Sequence, residues 1–155
     1  MSLASLLGGL ALANAGLGVV HGIAGPLGGM FPVPHGGACA ALLPYGMEVN
    51  LRALRARAPA GEGLHRYETV ARLLTGRPNA TADEGVEWVK ETCRALRIRP
   101  LSSYGVGSQD VELLAEKAAK ASSTKGNPIE LGLEELRQVL SLALAAPGRV
   151  KRSSA

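Results

Sequence analysis

The chain has 155 residues and a formal net charge of +4; 46% of its residues are hydrophobic but only 3% are aromatic. This length is sufficient for one domain with a substantial core, and a core of Leu, Ala and Val with few rings favours packed helices over a sheet. The basic residues are dispersed among acids without stacking aromatics, which argues against a nucleic-acid partner. We therefore predict an all-α protein.

The N-terminal stretch from residue 3 to residue 31 carries no formal charge and is longer than the roughly 20 residues that span a bilayer. It contains many glycines, Pro26 and His21, and no basic segment precedes it, so neither a membrane span nor a secretory signal is favoured. We predict a helix over residues 2–13 that Asn14 interrupts or caps, and a further apolar helix that Pro26 ends or kinks. Because a helix that is apolar all round belongs in an interior, we expect this segment to be buried. A small Gly-rich membrane protein is the alternative.

The rest of the chain alternates helical patterns with short breaks. After an extended connector at residues 30–34, we predict helices at residues 35–58, 64–74, 82–97, 111–121 and 133–144. Thr81 and Glu84 match a capping box at the start of the third of these helices. We find no strand alternation and no internal repeat. The predicted helical domain covers residues 1–146, and the basic, Ser-rich residues 147–155 are predicted to form a flexible tail.

The two cysteines, Cys39 and Cys93, lie far apart in apolar helical patterns and form no CxxC pair. Isolated thiols of this kind are typical of a reducing compartment and of small buried side chains. We therefore expect a cytoplasmic protein in which both cysteines pack as small hydrophobic residues. A redox role for either thiol is the alternative.

Two of the three histidines, His21 and His35, lie in a stretch with almost no charge, residues 13–50. A neutral imidazole is a good ligand for zinc or ferrous iron, and the predicted helix start at His35 favours the neutral ring. We therefore predict that these two histidines are ligands of a divalent metal and that the remaining ligands lie outside this chain. Histidines satisfied within an apolar core are the alternative. His65, beside Arg66 on an amphipathic helix, is predicted to be an exposed surface residue.

Short motifs recur in a fixed order along the chain. The first group is Asn14-Ala15-Gly16-Leu17-Gly18-x-x-His21, Pro26-Leu27-Gly28-Gly29, Pro34-His35-Gly36, Leu43-Pro44 and Asn50. The second group is Ile98-Arg99-Pro100-Leu101, Gly107-Ser108-Gln109-Asp110 and Lys125-Gly126-Asn127-Pro128-Ile129. Together they resemble the signature of the iron-containing (group III) alcohol dehydrogenases, from about residue 4 to residue 144.

This resemblance implies a helical bundle like the C-terminal, dehydroquinate synthase-like domain of those enzymes. In the family a divalent metal, Fe²⁺ or Zn²⁺, is held by one Asp and three His, two of which match His21 and His35. The Asp and the other His come from a helix that precedes the matched region, and an N-terminal domain binds NAD or NADP. We therefore expect the C-terminal domain of an alcohol or aldehyde oxidoreductase, without its nucleotide-binding domain. Two ligands predict weak metal binding and no activity in the isolated chain.

One position departs from the family pattern. Many members carry another His one helical turn after the first signature His, and this chain has Gly25 there. Together with a start inside an apolar helix, this departure favours an alternative, a non-enzymatic helical interaction domain derived from the family. Either way, the face that meets the absent domain would be uncovered, so we expect a homo-oligomer.

Overall fold

The computed structural model describes residues 2–145, which form seven α-helices and three short 3₁₀ segments, with no strand among them. The α-helices are α1 Ser2–Ala15, α2 Val19–Met30, α3 His35–Arg57, α4 Glu62–Thr75, α5 Ala82–Ala95, α6 Val111–Lys120 and α7 Leu133–Ala145. The 3₁₀ segments are Leu101–Tyr104, Ser108–Asp110 and Ser122–Gly126. The all-α prediction is confirmed for these residues, and the predicted tail at residues 147–155 lies outside them.

The main core lies between α2, α3, α6 and α7. Each of these helices contributes aliphatic side chains that are withdrawn from solvent, among them Ile23, Leu27, Leu42, Leu114, Leu136 and Leu140. Burying each such side chain contributes roughly 1.5–3 kcal/mol. The core therefore fixes α2 and α3, the helices that carry His21 and His35, against one another.

A smaller core joins α3 to the α4–α5 pair. It is built on Leu51, Ala82 and Val86, with Leu64 and Tyr67 packed against them. The predicted capping box starts α5: the Thr81 side chain accepts a hydrogen bond from the backbone N–H of Glu84, and the Glu84 carboxylate accepts one from the backbone N–H of Thr81. These contacts hold the α4–α5 pair against α3.

The first helix departs from the sequence-based expectation. α1 continues through Asn14, whose side chain donates to the carbonyl of Leu10, and ends at Gly16, whose φ of +73° is left-handed. None of its residues is buried, so the prediction of a buried helix is right for α2 and wrong for α1. The break at residues 16–18 lets α2 pack on the core while α1 leaves it.

Within residues 2–145 no single helix is both long enough and apolar enough to span a membrane. The helices α1 and α2 reach that length and apolarity only when they are taken as a pair, and the angle between them is 101°.

Pro26 does not end the helix that contains it. α2 runs on to Met30, and the backbone N–H of Phe31 still donates to the carbonyl of Leu27. A proline inside a helix removes one backbone hydrogen bond, at a cost of about 3 kcal/mol. Because Leu27 follows Pro26 and is fully buried, core packing offsets that loss and keeps the last turn helical.

Candidate metal centre

His21 and His35 each lie in the first turn of a helix. His21 is in the first turn of α2, and His35 is the first residue of α3, directly after Pro34. The connector at residues 31–34 turns the chain back so that the two imidazoles meet, with ring centroids 5.4 Å apart and ring planes inclined by 50°. The two side chains that the sequence singles out therefore face a common space.

Cys39 is the third member of this cluster. It lies one helical turn after His35, and its Sγ is 3.6 Å from Nε2 of His35. One ring nitrogen of His21, one ring nitrogen of His35 and the Sγ atom of Cys39 all lie within 4.8 Å of one another. Sequence reasoning missed this residue because it treated Cys39 as a core side chain. The available signal was the spacing of four residues on a helix that begins at His35, which places both side chains on one face.

The donor set fits a divalent cation. Metal–nitrogen bonds of about 2.1 Å and metal–sulfur bonds of about 2.3 Å place tetrahedral donors roughly 3.3–3.6 Å apart. The separation of 3.6 Å between Cys39 Sγ and His35 Nε2 already has that value. The donor atoms of the whole cluster lie within a wider limit, 4.8 Å, so the ring of His21 must turn inward for all three to share an ion. His35 is exposed and His21 half-buried, which leaves these side chains free to rotate.

Space remains around the cluster. Gly25 follows His21 by one turn on the same face of α2, and Gly36 follows His35; both are exposed, and a Cβ atom at either position would meet nothing within 4 Å. Burial raises the pKa of the Cys39 thiol, so the sulfur carries its proton in the metal-free protein. Among residues 2–145, no carboxylate belongs to the cluster.

The other histidine and the other cysteine lie elsewhere. The side chain of His65 is 69% exposed on α4, with Nδ1 3.9 Å from a carboxylate oxygen of Glu68, as predicted for a surface residue. Cys93 is half-buried on α5, and its Sγ donates to the carbonyl of Ala40 at 3.6 Å. His65 and Cys93 therefore lie outside the cluster, and they provide matched controls for the histidines and the cysteine within it.

A network of amide side chains anchors the start of α2. Asn127 Oδ1 accepts from the backbone N–H of Val19 at 3.0 Å and from Asn50 Nδ2 at 3.2 Å, and Asn127 Nδ2 donates to Asn50 Oδ1 at 2.7 Å. Asn50 is only 5% exposed and also donates to the hydroxyl of Tyr67. Val19 is two residues before His21, so this network sets the position of His21 relative to α3.

The family comparison agrees with this architecture. The model of the Fe-containing alcohol dehydrogenase family, C-terminal, matches residues 1–144. The chain belongs to this family. The resemblance inferred from the motifs is confirmed, and it covers all but the last few residues of this Fe-containing alcohol dehydrogenase domain.

Individual relatives match the same region. "Alcohol dehydrogenase 4" of Schizosaccharomyces pombe is 33% identical over 145 residues, covering 93% of this chain and 32% of the relative. "Lactaldehyde reductase" of Escherichia coli is 34% identical over 149 residues, covering 92% of this chain and 37% of the relative. The chain therefore spans about a third of the length of these Fe-containing alcohol dehydrogenase relatives.

Solved structures show the same fold. The crystal structure of a 1,3-propanediol oxidoreductase superposes with a TM-score of 0.74 at 29% identity, over 90% of this chain and 36% of that one. An alcohol dehydrogenase from Oenococcus oeni superposes with a TM-score of 0.75 at 32% identity, over 90% of this chain and 36% of that one. The helical bundle is thus the C-terminal fold of the Fe-containing alcohol dehydrogenases.

Proposed function

We propose that this chain is the metal-holding helical domain, residues 1–146, of an NAD(P)-dependent oxidoreductase that interconverts small alcohols and aldehydes. The observation that carries the proposal is the convergence of His21 and His35 at the start of α2 and α3 within a domain of this family. Relatives named lactaldehyde reductase, NADPH-dependent butanol dehydrogenase and 1,3-propanediol dehydrogenase support a small alcohol or aldehyde as substrate.

The residues of this chain hold and orient the site. His21 and His35 would each offer a ring nitrogen lone pair to a divalent cation, Fe²⁺ or Zn²⁺, both of which imidazole suits. The bound cation supplies Lewis-acid polarisation of the alcohol or aldehyde oxygen. Asn127 and Asn50 hold α2 in register with α3, and the open surface at Gly25 leaves room for substrate. The remaining metal ligands would come from a helix that precedes the matched region, and the NAD(P) site from an N-terminal nucleotide-binding domain.

The histidine pair is tested by metal titration of the purified chain. We expect His21→Ala and His35→Ala each to weaken Zn²⁺ or anaerobic Fe²⁺ binding by at least about tenfold, since even the loss of a residue that only supports a ligand costs 10–100-fold. His65→Ala, which removes the exposed imidazole, is the matched control and should leave binding unchanged. Isothermal titration calorimetry gives the affinities, and circular dichroism confirms that each variant is folded. Equal binding by all three variants would refute the metal site.

The isolated chain should show no NAD(P)H-linked turnover of aldehydes, because residues 1–144 match only the C-terminal part of the family and NAD(P) binding is proposed for a separate domain. The competing function is a non-enzymatic helical interaction domain, which Gly25 and the uncovered surface of α1 favour. Sequencing directly upstream separates the two functions: a nucleotide-binding domain in the same reading frame supports the oxidoreductase. Turnover by this chain alone would contradict the proposal that a separate domain binds NAD(P).

We further propose that the protein is cytoplasmic and that the isolated chain associates with a second copy of itself. Two free thiols suit a reducing compartment. Self-association is supported by the leucines of α1, which the rest of the described chain, residues 2–145, leaves exposed. Neither a nucleic acid nor a membrane is part of this proposal.

A further inference from the structure

We propose that Cys39 is a third metal ligand, so that this chain alone provides a His₂Cys site for a thiophilic divalent cation such as Zn²⁺ or Co²⁺. The inference rests on the proposed binding of a cation by His21 and His35, and it adds a donor that the family resemblance does not supply. Three protein donors with one open position make up the usual composition of a catalytic zinc site.

The placement of Cys39 on α3 carries the argument. The sulfur is held one turn after His35, 3.6 Å from its Nε2, by the helix itself. That distance equals the donor–donor separation of about 3.6 Å expected for one imidazole nitrogen and one thiolate on a tetrahedral ion. Binding therefore requires no movement of α3. It requires only that the ring of His21 rotate to close the remaining gap within the cluster.

Cation binding replaces a proton on the sulfur. In the metal-free protein the sulfur belongs to a free thiol, with an S–H bond. When the metal–sulfur bond forms, the S–H bond breaks and the proton passes to solvent, as in other thiolate sites. A thiolate donor also changes selectivity, since sulfur prefers Zn²⁺ and Co²⁺ to the oxygen-seeking Mg²⁺ and Mn²⁺. The prediction of weak metal binding assumed two protein ligands. With Cys39 as a third ligand, we expect a higher affinity for thiophilic ions.

A simple hydrogen bond is the competing explanation. A protonated thiol can donate to an imidazole nitrogen at the same 3.6 Å separation, with no role in metal binding. Cys93 provides the matched control, because it too is half-buried and free and its Sγ lies 3.6 Å from an acceptor, the carbonyl of Ala40. Burial raises its pKa as it does for Cys39.

The experiment is titration of the full chain with Co²⁺, with the thiols kept reduced. A sulfur ligand gives a thiolate-to-Co²⁺ charge-transfer band in the near ultraviolet, which neither imidazole nor water produces. We expect this band in the wild-type chain and in Cys93→Ser, and we expect its loss in Cys39→Ser. We also expect Cys39→Ser to bind Co²⁺ at least about tenfold more weakly, since loss of a supporting residue alone costs 10–100-fold.

The outcomes distinguish this inference from the proposed function. If Co²⁺ binds with a dependence on both histidines but without the thiolate band, and Cys39→Ser binds as the wild type does, Cys39 is not a ligand and the two-histidine site stands. If Co²⁺ does not bind the folded wild-type chain, the three-ligand site is refuted, whereas two histidines that need ligands from outside this chain remain compatible with that result. A band that persists in Cys39→Ser and disappears in Cys93→Ser would show that Cys93 is the sulfur ligand, and this result would overturn the inference.

Discussion

One amide side chain, that of Asn127, connects three separate parts of the fold. It accepts from the backbone of Val19 at the start of α2, exchanges hydrogen bonds with Asn50 on α3, and donates to the carbonyl of Ile129 in its own loop. Asn50 is buried, and a buried amide without partners pays its full desolvation cost. The structural role of both residues is therefore to fix the helix that carries His21.

Replacing Asn127 by Ala tests this role. We expect a loss of about 1–3 kcal/mol in the free energy of unfolding, because the amide of Asn50 and the N–H of Val19 lose buried partners. Asn14→Ala is the control, since Asn14 is exposed and bonds only to the carbonyl of Leu10 in its own helix. Chemical denaturation followed by circular dichroism measures both variants. Equal stability of Asn127→Ala and Asn14→Ala would show that the network does not hold α2 in place.

At this scale the sequence predicts the candidate site only in part. His21 and His35 could be selected because they lie in a nearly uncharged stretch and match a family signature. Cys39 could not be separated from an ordinary core residue by composition, since a half-buried thiol and a ligand thiol have the same neighbours in sequence. The predicted helix start at His35 put Cys39 on the same helix face, but only the three-dimensional structure shows that its sulfur lies 3.6 Å from Nε2 of His35.

Between elements, the closest approach of α4 and α5 depends on a glycine. A Cβ atom added at Gly85 would lie 2.7 Å from the Cβ and 3.0 Å from the Cα of Ala71. Both positions are buried. Backbone atoms cannot yield as the end of a flexible side chain can, so the two helices would have to separate.

We predict that Gly85→Ala destabilises the protein although alanine is the better helix former. Overpacking typically costs about 1–3 kcal/mol, which exceeds the gain of about 0.5–1 kcal/mol from replacing a helical glycine. Gly29→Ala in α2 is the matched control, because a Cβ there meets nothing within 4 Å and only the propensity gain remains. Urea denaturation should therefore give shifts of opposite sign. A stabilised Gly85→Ala would mean that α4 and α5 separate at little cost.

The elements themselves were predicted with uneven success, for a physical reason. The helices after residue 35 have polar and apolar faces and recognisable starts, such as Thr81 with Glu84, so their ends fall close to the predicted positions. α1 has no polar face. When every face of a helix is apolar, its sequence does not indicate which face packs against the rest of the protein. The prediction that α1 is buried was wrong for this reason.

At the scale of the whole molecule, α1 is an apolar surface that no other part of residues 2–145 covers. Its leucines are far more exposed than those of the core, namely Leu3 at 69%, Leu6 at 60%, Leu7 at 55%, Leu10 at 53% and Leu12 at 49%. The chain covers about a third of the length of its curated relatives. Because residues 2–145 leave these leucines uncovered, a second copy of the chain offers apolar surface to cover α1, and we expect self-association of the isolated chain.

Charged substitutions in α1 test this expectation. Leu6→Glu combined with Leu10→Glu should shift the mass measured by light scattering after size-exclusion chromatography from an assembly toward a single chain, because burying two carboxylates in an apolar contact is unfavourable. Leu73→Glu is the matched control, since Leu73 is a leucine on α4 that is 78% exposed and lies outside α1. It should leave the mass unchanged. A wild-type chain that is monomeric at all concentrations would contradict the prediction, and an assembly that survives the double substitution would place the contact on another surface.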